Sequence, residues 1–153
     1  MFNQVKLQKF SYGKGCQEVV EKDQQYIIDK LKQASQDLLF PSESDYPFEV
    51  FLWEGQAPLT PEKLFKQTGH PQDTLAEVVN LKELFRAATQ EQDWYAPEEK
   101  ETVARFQELV ETTGTTLHDI KVYRVGTVEI DVYIVGTAND RDIVGLSTKI
   151  VET

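Results

Sequence analysis

Side chains that could carry out catalysis are few in this sequence and lie far apart. The two histidines, His70 and His118, stand outside any HExxH or other metal-ligand spacing. His70 lies in a Gly-His-Pro turn and His118 precedes a predicted strand, so we predict that both are solvated loop residues. The single cysteine, Cys16, has no base nearby in sequence, which favours a free, unreactive thiol.

Acidic residues gather at three places, which are Glu43/Asp45/Glu49, Glu91/Asp93 and Asp140/Asp142. Paired carboxylates can bind Mg²⁺ or perform general acid–base catalysis, although solvated faces are the commoner role, and Asp140 to Asp142 resembles a hairpin turn. The sequence has no GxSxG elbow and no P-loop. We therefore predict a protein that is not an enzyme and that has no cofactor or metal of its own. A metal-dependent hydrolase that uses the acidic clusters is an alternative.

Two segments have side chains better suited to binding another protein. Residues 42–47 form a short acidic, hydroxyl-rich loop between a predicted helix and a predicted buried strand. Residues 92–95 place Trp94 and Tyr95 in a polar linker between helices, and these residue types are common among binding hot spots. Two interpretations stay open for the aromatic pair: an exposed binding anchor, or a plug folded back onto the sheet.

The helices that position these segments are predicted from apolar spacing and capping residues. Apolar side chains recur at helical spacing over 24–39, and Pro41 is expected to end that helix. Thr60 with Pro61, and separately Asn80, are typical helix starts. A further helix is predicted over 97–113, with Gly114 placed to end it.

Strands are predicted where the apolar period changes from about 3.6 residues to 2. The aromatic and β-branched run 47–54 predicts an early strand covered on both faces. Alternation predicts three more strands, over 121–125, 128–135 and 143–151. These elements predict an α+β fold, with an antiparallel sheet of about four strands and helices packed on it.

Composition limits the classes of partner. The 153 residues suffice for one domain, and 16 basic against 26 acidic residues give a net charge of −10. This balance disfavours nucleic acid as a direct partner and suits a basic protein instead. We find no apolar run of the roughly 20 residues that a membrane span requires and no signal-peptide core. With one cysteine, the chain fits a reducing compartment, and we predict a cytoplasmic location.

Several of these segments together resemble the nuclease A inhibitor (NuiA) family, from about residue 24 to the last residue. The most specific of them is the block 42–55. The matching segments are SESDYPFEVFLWEG (42–55), QTGH (67–70), QDWY (92–95), VYRVG (122–126), EIDVY (129–133) and STKIVET (147–153).

The resemblance implies an α/β/α sandwich of the PR-1-like type and a partner, a sugar-non-specific ββα-metal nuclease. It implies a monomer that forms a 1:1 complex and occludes the active site of that nuclease, with no direct contact to nucleic acid. The domain would span 24–153, after an N-terminal extension over 1–23. The alternative function is that of an acidic protein-interaction module of the same fold with a different basic partner.

The resemblance also implies which residues bind the nuclease. Acids would stand where substrate phosphates lie, and the C-terminal Thr153 would reach the catalytic Mg²⁺ of the partner. The nuclease-binding residues would be Glu43, Asp93, Trp94 and Thr153, with Ser42, Ser44, Asp45, Tyr95 and Glu152 at the rim.

Overall fold

The computed structural model describes residues 14–42, 44–138 and 141–152, with side chains from residue 24 onward. Its helices are α1 (Lys14–Ser35), α2 (Pro61–Thr68), α3 (Leu81–Leu84) and α4 (Pro97–Thr116), with a 3₁₀ turn at Ala87–Thr89. Its strands are β1 (Leu39–Phe40), β2 (Tyr46–Pro47), β3 (Glu49–Trp53), β4 (Ala76–Val79), β5 (His118–Val125), β6 (Glu129–Thr137) and β7 (Ile143–Val151).

The first helix differs from the prediction at both ends. It begins at Lys14 and so crosses the predicted boundary between 1–23 and 24–153. It ends at Ser35, because Asp37 adopts the left-handed conformation (φ 62°), which a continuing helix does not allow. Leu39 was predicted to be the last helical residue, and Phe40 the residue before Pro41, which was expected to end the helix. Instead, Leu39 pairs with Pro47 and Phe40 pairs with Tyr46 in a two-stranded ribbon.

The main sheet is antiparallel and has five strands in the order β3-β7-β6-β5-β4. The expected early strand is β3, which pairs with β7 from Glu49 opposite Ser147 to Trp53 opposite Ile143. The prediction of about four strands missed β4, a four-residue edge strand. An edge strand has a hydrogen-bonded partner on one side and is often very short. A segment of this length shows no long alternation of apolar and polar residues.

Helices cover both faces of the sheet, so the molecule has three layers. On one face, Leu31 of α1 and Leu109 of α4 pack over Val132 of β6, and all three are fully buried. On the other face, Leu64 and Phe65 of α2 pack over Val135 and its neighbours. The α+β prediction is confirmed, since helices pack on an antiparallel sheet.

Local capping signals proved reliable at the two short helices. The Thr60 hydroxyl accepts from the Lys63 backbone N–H at 3.2 Å, and the side-chain Oδ1 of Asn80 accepts from the Glu83 backbone N–H at 2.7 Å. The predicted end of α4 at Gly114 was wrong, because the helix continues to Thr116.

Candidate functional site

The loop over residues 90–96 presents the largest exposed aromatic side chain in the described part of the chain. Trp94 is 78% exposed, and its ring meets that of half-buried Tyr95 edge-on, with centroids 6.2 Å apart. A turn in which the Tyr95 N–H donates to the Gln92 carbonyl at 3.1 Å sets this arrangement. Asp93 is exposed beside Trp94. Of the two interpretations left open, the plug against the sheet is therefore wrong for Trp94.

Contacts with α4 hold both ends of this loop. The Glu99 carboxylate accepts from the Ala96 N–H at 2.8 Å and fixes the entry into the helix. At the other end, the Gln107 side-chain amide donates to the Thr89 carbonyl at 2.9 Å. Fixed ends limit the entropy that the loop would lose on binding, so Asp93 and Trp94 stand on a pre-organised support.

The acidic loop after β1 is joined to the end of the last strand. The Ser42 hydroxyl donates to the Ser44 carbonyl at 2.6 Å, and the Ser42 N–H donates to the Asp45 carboxylate at 3.4 Å. The same hydroxyl accepts from the Val151 N–H at 3.2 Å. Ser44 and Asp45 are exposed, whereas Glu43 lies outside the described residues.

The segment after β7 is held in place as far as Glu152. The Glu152 N–H donates to the Val128 carbonyl at 2.9 Å, and its carboxylate accepts from Arg124 Nη2 at 2.9 Å. Thr153 lies outside the described residues.

A groove of about 660 Å³ lies between these parts. Ser42, Arg124 and Glu152 line one part of it, and Ala87 and Ala88 line another. The structure thus brings two predicted rim residues, Ser42 and Glu152, to one groove. The turn that contains Ala87 and Ala88 leads directly into the loop of Asp93 and Trp94. Arg124 was not among the predicted site residues, although it stands in the segment VYRVG.

His70 lies on the opposite face of the sheet, and the prediction that it is solvated was wrong. Its side chain is 20% exposed, and Nε2 lies 3.1 Å from both the Tyr133 hydroxyl and Asp131 Oδ2. Burial, together with the charge of Asp131, raises the pKa of Tyr133 above its ordinary value, although a hydrogen bond with Thr68 acts the other way. The tyrosine therefore stays a neutral hydrogen-bonding group at neutral pH. His118 is exposed as predicted, but it is the first residue of β5 rather than part of a loop.

Asp142 is a structural carboxylate rather than part of a solvated turn. It is 1% exposed and accepts from the Gly55 N–H at 2.8 Å and from the side-chain amide of Gln24. The Arg141 guanidinium lies beside it, 3.6 Å from Nε to Oδ1. The carboxylate joins α1, the end of β3 and the β6–β7 connection. Its partners Gln24 and Gly55 lie far away along the chain, so they could not be recognised from the sequence.

Other classes of site can be compared with the described residues. No group of three or more histidine, cysteine, aspartate or glutamate residues that could hold a metal ion occurs within them. No helix in this part of the chain has the length and apolar character needed to cross a bilayer. The side chain of Cys16 lies outside the described residues.

Trp94 and the exposed acids lie in a region of the chain that matches a known protein family. A sequence profile described as nuclease A inhibitor-like protein matches residues 25–153. The chain belongs to this family. No curated protein matches the sequence significantly.

Membership of the nuclease A inhibitor-like family indicates a nuclease-inhibitor role, with a nuclease as the partner, rather than an enzymatic one. The match includes both loops of the candidate site and the whole five-stranded sheet. The parts played by Glu43, Asp93, Trp94 and Thr153 stay predictions, as does the division at residue 23.

Proposed function

We propose that this protein binds a sugar-non-specific nuclease of the ββα-metal type and occludes its active site. The observation that carries the proposal is the family match over residues 25–153, which includes an exposed tryptophan beside an exposed aspartate. Trp94 is 78% exposed and so contributes little to the core, and its indole suits a binding anchor. The protein would act in the cytoplasm as a monomer, in a 1:1 complex.

In this proposal, carboxylates replace the phosphates of the nucleic-acid substrate. Glu43 and Asp93 would accept charge-assisted hydrogen bonds from arginines of the nuclease, which are stronger than bonds between neutral groups. The net charge of −10 supports this role, because it attracts a basic cleft over a distance. Ser42, Ser44, Asp45, Tyr95 and Glu152 would lie at the rim of the contact.

Thr153 would approach the Mg²⁺ ion of the nuclease. A hydroxyl or carboxylate oxygen is the kind of hard ligand that Mg²⁺ accepts in place of water. The preceding residues suit this task because the Val151 N–H donates to the Ser42 hydroxyl and the Glu152 N–H donates to the Val128 carbonyl. A ligand delivered from a fixed strand loses less entropy on binding than one at the end of a flexible arm.

A plasmid-digestion assay with a purified ββα-metal nuclease and rising amounts of this protein tests the proposal. We expect complete inhibition near equimolar protein, and unchanged digestion in excess inhibitor would overturn it. Glu43→Gln should weaken inhibition and flatten its salt dependence, because a steering charge is lost. The control is Glu62→Gln, an exposed acid on α2 at the opposite face of the sheet.

The role of Thr153 is tested by deleting it and, separately, by extending the chain past it. Each change should weaken inhibition more than the loss of any rim carboxylate does. Full inhibition by both altered proteins would refute the role of Thr153. It would not refute the occlusion by Trp94 and the acids, which their own variants test.

A further inference from the structure

Arg124 links three strands of the sheet at the edge of the groove. Its Nη2 donates to the Glu152 carboxylate at 2.9 Å, and its Nη1 donates to the Glu77 carboxylate of β4 at 3.3 Å. Arg124 lies on β5, whereas Glu152 follows β7, two strands away. The side chain therefore spans β6 to reach the segment after the last strand.

Three contacts hold the segment that Arg124 reaches. The Val151 N–H donates to the Ser42 hydroxyl, and the Glu152 N–H donates to the Val128 carbonyl. The ion pair with Arg124 is the contact that holds the Glu152 side chain. Without it, the carboxylate at the last described position would be free to rotate into solvent.

The ion pairs of Arg124 do not have the features of a stabilising arrangement. Both acidic partners are more than half exposed, at 65% for Glu77 and 56% for Glu152, and solvent screens such pairs strongly. The Arg124 Nε is buried and has no hydrogen-bond partner among the described residues, which opposes folding. A role in stability therefore does not explain why an arginine stands at this position in the sheet.

We propose that Arg124 is a positioning residue for nuclease inhibition, which holds the Glu152 carboxylate in place before the nuclease binds. This inference rests on the proposed function. Ordering this side chain in advance removes an entropic cost from binding without adding a contact to the nuclease. Arg124 then acts through Glu152 and not by touching the partner.

The test compares substitutions at Arg124 and at its two acidic partners. Arg124→Met keeps an unbranched apolar stem about as long as that of arginine up to Nε, and it removes both ion pairs and the buried N–H. We expect the inhibition constant to rise about tenfold, while the melting temperature stays close to that of the parent protein. Glu77→Gln removes only the pair with β4 and should inhibit like the parent. Arg124→Lys, which keeps one charge, should recover part of the loss.

A double-mutant cycle with Glu152→Gln separates positioning from direct contact. If Arg124 acts through Glu152, adding Arg124→Met to Glu152→Gln costs little more than Glu152→Gln alone. Additive losses would mean that Arg124 contacts the nuclease itself and would overturn the proposal. Parent-like inhibition by a folded Arg124→Met protein, or an equal loss in Glu77→Gln, would also overturn it.

A nuclear magnetic resonance measurement tests the same idea without any nuclease. In the parent protein, nuclear magnetic relaxation of the Glu152 side-chain methylene groups should show restricted motion, and the side-chain order parameter should fall in Arg124→Met. An unchanged order parameter would refute the positioning role. Failure of the parent protein to inhibit, with this fall observed, would refute the proposed function alone.

Discussion

Replacing Trp94 with alanine should weaken binding to the nuclease strongly while leaving the fold intact. A tryptophan can bury up to about 250 Å² of surface, and 78% of the Trp94 surface is accessible in the free protein. If the partner covers about 100 Å² of that surface, the loss at about 25 cal/mol per Å² is about 2.5 kcal/mol. This value lies within the hot-spot range and corresponds to a dissociation constant raised by roughly 70-fold.

Isothermal titration calorimetry against the purified nuclease measures this loss, and thermal unfolding checks the fold. The free energy of unfolding should change by less than about 0.5 kcal/mol, because the side chain makes little contact with the core. Tyr26→Ala is the matched control, since Tyr26 is also an exposed aromatic residue, 59% accessible, on α1. A binding loss under about 0.5 kcal/mol in a folded Trp94→Ala protein would refute the anchor and the reasoning from exposure.

Three predictions concern stability. Asp142→Ala leaves two donors without their acceptor. At about 1 kcal/mol per bond, the free energy of unfolding measured in urea should fall by at least about 2 kcal/mol, and a loss below about 0.5 kcal/mol would contradict this. Gly145→Ala should destabilise the protein by at least about 1 kcal/mol, since the new Cβ would lie 2.0 Å from the Ile134 carbonyl oxygen. Gly114→Ala, in open space on α4, should instead stabilise it by about 0.5–1 kcal/mol. Equal effects of the two substitutions on the free energy of unfolding would refute the packing argument. Because the Tyr133 pKa is raised above 10.0 in the folded state, stability should fall as pH rises through that value toward the folded pKa, and Tyr133→Phe should reduce the fall; an identical pH profile would disprove this.

Features that depend on neighbouring residues were predictable from the sequence. Thr60 and Asn80 cap their helices as expected, because a cap needs only a side chain and a backbone N–H three residues later. The strand over 143–151 has the predicted limits, since polar residues end its apolar run. The order in which such elements pair is a property of the whole chain and could not be obtained in this way.

Features that depend on distant residues were missed. Gln24 and Gly55, the partners of the Asp142 carboxylate, lie 118 and 87 positions away, so nothing near Asp142 in sequence marks it as buried. His70 likewise meets Tyr133 across 63 positions. The residues of the edge strand β4 are half-buried or exposed, so their own burial contributes little. The strand depends instead on its pairing with β5.

The candidate site was predicted from two different sources. A polar linker containing Trp94 indicated either exposure or burial, and only the three-dimensional arrangement decides between them. Ser42 and Glu152 were named from the family resemblance, and their meeting at one groove follows from the ribbon of β1 and β2 lying beside β7. Arg124 could not be found from sequence, because its partners Glu77 and Glu152 belong to other strands.

The position of the last two strands in the sheet has a consequence for synthesis of the protein. The ribosome releases α1, β3 and β4 early, yet β3 pairs only with β7 and β4 pairs with β5 within the main sheet. The middle of the sheet, β6 and β7, emerges last, and long-range pairings of this kind are slow to form. The nascent chain therefore carries β3 without its partner strand until β7 has left the exit tunnel, whereas β4 can pair as soon as β5 has emerged. During that interval β3 is exposed to aggregation, against which chaperones would protect it.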